Sequence, residues 1–337
     1  MANNLHAAAA AALLTLITLM SMGPVLVVCN EHLWSAALPN VAVPRTLCDA
    51  VSPVEDTPIA TRFASALSRG AVFPSMSAAF CDAASLICEN HIEISSYGTL
   101  SSTQSRAPSI KTINDFQFDF FLETNLVAGQ SLHLSTNLHD PIPARAFLPS
   151  LVAETLPPLT TDNLPKLRNA FNVQDRTEMA TVMGTAAFLC ENPALPGEAK
   201  ACVLTLPAMA QFVVSQLGTQ VQALATSGAS ATETSSVAKI ESVTKRSLAE
   251  GDHIIICHTV MFPSALYYCH HVTGTKVVQA KIRVNSSVID AVGICHLDTS
   301  LWASEHPAFT ALNIPRGAEA CHWTVQNDIV WVSAATQ

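Results

Sequence analysis

The dipeptide Cys-His occurs four times in the last quarter of the chain, as Cys257-His258, Cys269-His270, Cys295-His296 and Cys321-His322, with 10, 24 and 24 residues between successive pairs. Thiols and imidazoles both bind transition metals, and thiols of an exported protein also form disulfides. Three of the pairs lie in or beside runs that predict strands. On a strand, neighbouring side chains point to opposite faces, so each pair sends its Cys one way and its His the other. A sheet carrying several such pairs gathers thiols on one face and imidazoles on the opposite one. Clustered imidazoles suit a transition metal; copper is the strongest binder among divalent first-row ions and accepts an all-nitrogen site. Zinc with mixed ligands is the rival, but the short C-x₂₋₄-C spacing of structural zinc sites is missing. Spacing alone leaves a plainer reading equally open: disulfides with packed neutral imidazoles beside them.

The elements that must position these pairs are short. From His253 the pattern turns to β-branched and aromatic runs, His253–Val260, Leu266–Val272, Lys276–Val284, Val288–Leu297 and Asp328–Val332, which predict an antiparallel or mixed sheet. Phe116, Phe118 and Phe120 alternate with polar residues as in a half-buried strand, Gly129 offers a turn, and Ser131–Leu134 reads as the returning strand. Helical periodicity runs over Thr61–Leu67, Ser75–Cys88, Thr177–Leu189 and Ala208–Leu217. Ala144–Leu164 reads as Pro-interrupted loop, Thr219–Lys245 as a surface loop or weak helix, and Ser101–Pro108 as a linker. The fold class is therefore α+β, β-rich toward the C-terminus, after a mostly irregular and helical N-terminal segment. Cys81 and Cys88, seven apart, cannot bond along one straight helix, so each has another partner or a bend intervenes.

Composition bounds the rest. The 337 residues are 49% apolar and 13% charged, which excludes disorder throughout, and a net charge of −9 argues against a nucleic-acid binder. The uncharged run Ala7–Met20 suits a secretory signal, cleaved after Gly23 or as late as Cys29, and no second stretch of that length follows. The mature protein is thus expected to be exported, with no membrane segment. If Cys29 leaves with the signal, nine thiols remain and one is free or metal-bound. Asn285-Ser286-Ser287 is the usable N-glycosylation sequon. His271 would face away from His270 and reads as structural. His253 could flank the site without motif support, and His133 and His139 read as surface or core residues. No nucleophile elbow, P-loop or dinucleotide fingerprint is present.

The CH-x₁₀-CH-x₂₄-CH-x₂₄-CH pattern, ending in Cys321-His322-Trp323 and Ile329-Val330-Trp331-Val332, resembles the C-terminal BURP domain of plant secreted proteins. Phe120-Phe121-Leu122-Glu123 resembles the paired phenylalanines that open that domain, Cys190-x₁₁-Cys202 matches its upstream cysteine pair, and Leu33–Val51 is similar to the segment that follows the family's signal peptide. The resemblance divides the chain into a signal peptide at 1–23, a presegment and linker at 30–114, and a BURP domain at 115–337. Two departures stand out. The second and third CH gaps are a residue or so shorter than usual, which suggests shortened loops, and the repeat region of many members is missing.

By resemblance, the protein belongs in the apoplast or cell wall, with a vacuolar or storage compartment as the alternative. Members include non-enzymatic wall proteins of development and stress response, some linked to polygalacturonase, and copper-dependent peptide cyclases. The resemblance implies His258, His270, His296 and His322 as copper ligands. It implies disulfides from Cys190 with Cys202 and from some of Cys257, Cys269, Cys295 and Cys321, whose pairing is left open. The expected partner is a cell-wall component or a peptide substrate. Self-cyclisation is not expected: the upstream aromatics Trp34 and Tyr97 do not sit in a Gln-initiated core peptide, which leaves a cyclase only in trans.

Overall fold

The computed structural model describes residues 34, 36–39, 41–91, 120–134, 138–194, 196–230, 237–246, 253–272 and 274–334. The expected signal segment, Cys29, Tyr97, the linker and Phe116 with Phe118 lie outside them. Eleven strands form two antiparallel sheets among the described residues. They are β1 (Phe120–Phe121), β2 (Ser131–His133), β3 (Lys200–Val203), β4 (Val221–Leu224), β5 (Val237–Arg246) and β6 (Ile254–Val260), followed by β7 (Leu266–Val272), β8 (Thr275–Val284), β9 (Ser287–His296), β10 (Ala320–Trp323) and β11 (Ile329–Ser333). One sheet has the order β1-β10-β9-β8-β5-β2 and the other β3-β7-β6-β11-β4. Eight helices accompany them: α1 (Arg45–Asp49), α2 (Pro58–Ser68), α3 (Pro74–Ala83), α4 (Ser150–Thr155), α5 (Leu164–Ala170), α6 (Glu178–Glu191), α7 (Leu206–Leu217) and α8 (Pro307–Leu312). The architecture is α+β, as expected.

The alternation of each strand decides what each layer is made of. Ile254, Ile256, Val330 and Val332 of one sheet meet Val277, Val292 and Ile294 of the other, and this apolar layer holds the sheets face to face. On the outside of the five-stranded sheet, α7 and the segment around Trp34, Leu38 and Leu47 cover Ile255, Tyr267 and Trp331. The outside of the six-stranded sheet is covered by Phe121, Leu126, Leu134 and Leu138. Helices α2, α3, α5 and α6 form a further apolar cluster against Phe262 and Leu266. Threonine caps start three of the helices: Thr57, Thr177 and Thr205 accept from the amides of Ala60, Ala180 and Ala208. Gly293 of β9 lets the ladder's neighbours close in. A Cβ there would lie 2.9 Å from Val278 Cγ2 and 3.0 Å from both Phe121 and Trp323.

Several expectations need correction. β2 does not return alongside β1; it pairs with β5 on the opposite edge of the sheet, because Val237–Lys239 offer it an open ladder. The described residues of the Thr219–Lys245 span hold two strands rather than a loop or weak helix: β4 and most of β5, whose Ala238 and Ile240 are buried although the sequence around them is polar. Ala144–Leu164 contains α4. Of the two outcomes expected for Cys81 and Cys88, the bend is the one found: α3 ends at Ala83, Ser85 takes a positive φ of 54°, and the two bond to each other. No cysteine is free among the described residues, and Cys48 too is disulfide-bonded.

Trp331 is fully buried and packs on Trp34 with ring centroids 5.4 Å apart, tying the N-terminal segment to the central strands. Trp331→Ala is expected to cost about 3–5 kcal/mol, read as a lower midpoint in urea unfolding of the oxidised protein.

Candidate functional site

Each half of the site is one disulfide-clamped strand pair. In β6 and β7, Cys257 stands directly opposite Cys269 and is bonded to it. In β9 and β10, Cys295 stands directly opposite Cys321 and is likewise bonded. The next residue on each strand turns to the other face, so all four imidazoles enter the space between the sheets. Because the cysteines face each other directly, the histidines that follow them on antiparallel strands fall on a diagonal: His258 opposes Tyr268 while His270 opposes Ile256. The same offset places His322 opposite Ile294 and His296 opposite Ala320. The expected segregation of thiols and imidazoles is present, but it is split over two sheets rather than gathered on one.

The four rings form a continuous row. Ring centroids are 5.6 Å apart for His270 and His258, 6.4 Å for His258 and His322, and 5.5 Å for His322 and His296. The last two rings are nearly parallel, and their Nε2 atoms are 3.4 Å apart. His322 and His296 are buried; His258 and His270 are half-buried.

Hydrogen bonds set which ring atoms face inward. His258 Nδ1 donates to Asp328 Oδ2 at 3.0 Å, and the other oxygen of Asp328 accepts the Thr259 amide. His322 Nδ1 donates to the Trp323 carbonyl at 3.1 Å. A carbonyl can only accept, so in a neutral His322 the proton is on Nδ1 and Nε2 carries the lone pair. His296 Nε2 is then the donor across the 3.4 Å gap. Glu198 Oε2 lies 3.8 Å from His270 Nδ1. Beneath His258, Asp140 accepts from Thr259 Oγ1, the Ile142 amide and Asn327 Nδ2. Burial pushes Asp140 above the usual carboxylate range.

Electrostatics favour the neutral form of His270, His296 and His322. Burial, followed by the neighbouring His258, pushes His322 down to about 4. Burial and the neighbouring imidazoles push His296 well below its ordinary value, and burial lowers His270 despite the opposing pull of Glu198. Neutral imidazole is the form that binds metal. Two nitrogens bound at ~2.0–2.1 Å to one tetrahedral ion would lie roughly 3.3 Å apart, close to the His296–His322 separation. Among the described residues, however, no three His, Cys, Asp or Glu side chains converge as a group that could hold a metal ion. The donors are a row with one close pair.

Aromatic side chains close one end of the row. Trp302 lies edge-on to His296 with centroids 4.9 Å apart, His306 packs on Trp302 at 4.1 Å, and Phe120 is edge-on to both His306 and His322. Sequence reasoning missed Asp328, Glu198, Trp302 and His306 as site residues. Asp328 is 70 positions from His258, and no local signal joins them. The Cys190–Cys202 disulfide, expected from resemblance, links α6 to β3. Asn285 is exposed in the β8–β9 turn with φ 51°.

Asp328→Asn is expected to cost about 2–3 kcal/mol, since a buried charge-assisted acceptor of two hydrogen bonds is replaced. Urea unfolding of variant and wild type measures it.

The chain matches the family model described as "BURP domain" over residues 119–333. It is 32% identical over 220 residues to the polygalacturonase non-catalytic subunit AroGP3 of Solanum lycopersicum, covering 64% of this chain and 34% of that protein. It is 30% identical over 250 residues to polygalacturonase 1 beta-like protein 3 of Arabidopsis thaliana, covering 72% and 39%. It is 32% identical over 215 residues to BURP domain-containing protein 5 of Oryza sativa subsp. japonica, covering 63% and 65%. The chain thus spans about a third of the length of the polygalacturonase subunits it matches.

Proposed function

Because the chain belongs to the BURP-domain family, we propose that it is an extracellular cell-wall protein that associates with a wall-modifying enzyme and itself performs no wall hydrolysis. A role in development or stress response follows the same family reading. The observation that carries the proposal is the complete pairing of the CH cysteines in buried cross-strand disulfides, which form and persist in oxidising compartments. Relatives named as non-catalytic polygalacturonase subunits support the choice of partner. Among the described residues no helix is long and apolar enough to cross a membrane. Asn285, exposed in its turn, is the proposed glycan carrier.

Two outcomes test this reading. The protein recovered from plant tissue is expected in the wall fraction, carrying a glycan that Asn285→Gln removes. In sedimentation, oxidised protein is expected to shift a polygalacturonase to a heavier species. Recovery only inside cells, or an unshifted enzyme, would refute the respective part.

A second reading is favoured by the imidazole row: a copper centre that crosslinks an aromatic side chain of a separate peptide. Copper would supply one-electron chemistry, with O₂ as the acceptor of the two hydrogens lost when the crosslink forms. His296 and His322 are the pair whose spacing fits one ion, His258 is oriented by Asp328, and the aromatic wall of Trp302, His306 and Phe120 limits access of water to His296 and His322. Leu297 and Leu301 stand exposed on the loop carrying Trp302, an apolar rim for a peptide. Trp34 is not a substrate side chain in this reading, since it is spent in the core against Trp331. Oxidised protein is expected to take up copper, and His296→Ala with His322→Ala to lower its copper content. Unchanged copper content in that variant would remove the metal centre, and peptides that never lose two hydrogens on mass spectrometry with copper-loaded protein and O₂ would remove the cyclase.

A further inference from the structure

A second pair of imidazoles lies on the other side of the same strands. His253, at the entry to β6, and His271, in β7, have ring centroids 4.4 Å apart with planes at 62°. Ile255 pairs with His271 across the ladder, so His253 is diagonal to His271 on the face that carries Cys257 and Cys269. His258 and His270 are on the opposite face, so the sheet itself separates the two sets.

Three further observations point to a ligand. His253 Nδ1 is buried and has no hydrogen-bond partner, whereas buried polar atoms are paired in the large majority of cases. The Gly197 backbone accepts a hydrogen bond from the His271 ring. A backbone carbonyl that holds one ring nitrogen orients the other toward a metal. Both rings are half-buried, and each keeps part of its surface at solvent, the side from which an ion would approach.

We propose that His253 and His271 form a divalent transition-metal site on the outer face of the β6–β7 ladder. The protein supplies two imidazole nitrogens and water completes the coordination. Such a donor set takes Zn²⁺, Ni²⁺ or Cu²⁺ and discriminates against Mg²⁺ and Ca²⁺, which require oxygen ligands. The site does not depend on the inner row and would bind metal whether or not the inner row does.

The test uses oxidised full-length protein and Zn²⁺ alone, by equilibrium dialysis with metal analysis. Wild type is expected to bind a Zn²⁺ equivalent that becomes at least tenfold weaker in His253→Ala and in His271→Ala, and is retained in the His258→Ala/His322→Ala variant. The proposal is overturned if both single variants bind Zn²⁺ as wild type does, or if binding is lost only in the His258/His322 variant. Should the single variants fail to fold, carbethoxylation of wild type decides: Zn²⁺ is expected to protect His253 and His271, and equal labelling with and without Zn²⁺ refutes the site. Failure of the inner copper centre has a different signature, unchanged copper content when the inner histidines are replaced.

Discussion

Two cross-strand bonds, Cys257–Cys269 and Cys295–Cys321, fix the register of the ladders on which everything else depends. A one-residue slip in either ladder would turn its histidines from the inter-sheet space to the outside. The bonds join residues 12 and 26 apart in sequence, and loops of that size are worth about 3 kcal/mol each through the unfolded chain. They do more than stabilise. A bond between directly opposed cysteines leaves the following histidines on the diagonal, which is why the same dipeptide yields the same geometry in both sheets. The wide CH-x₂₄-CH gap between the second and third pairs is where the chain passes from one sheet to the other.

The second constraint is desolvation. The apolar layer of Ile254, Ile256, Val292 and Ile294 continues directly into the imidazole row, so the rings sit at the end of a dry interior. Burial and mutual proximity both disfavour charge there, which lowers the protonation range of His322 and His296 and leaves lone pairs available. Folded-state values below the unfolded one mean that stability is full above pH ~6.5 and is lost as pH falls toward about 4. Asp328 and the Trp323 carbonyl then choose which nitrogen of His258 and of His322 faces inward.

Much of this was legible in the residues. Short β-branched and aromatic runs located β6, β7, β8, β9 and β11 to within about a residue, and the Cys-His dipeptides carried their own facing rule. What escaped was long-range. β5 was hidden by polar and small residues, because half of it faces solvent and its burial comes from Ala238 and Ile240 alone. β2 was assigned to the wrong neighbour since a strand's sequence does not state which edge is open. Asp328 opens the predicted final strand, yet only the β6–β11 ladder brings it to His258. The bend at Ser85, a positive φ at a residue without special propensity for it, decided the Cys81–Cys88 pairing.

The central claim is that disulfide-fixed strands hold a row of oriented imidazoles between the sheets, with His296 and His322 kept neutral by burial. Proton–nitrogen correlation NMR of the histidine rings in oxidised, metal-free protein tests it most directly. His322 is expected to stay neutral, protonated on Nδ1, as pH is lowered from 7 until about 4, with His296 also neutral well below its ordinary range. Titration of both rings near pH ~6.5, the value of a solvated histidine, would contradict the account.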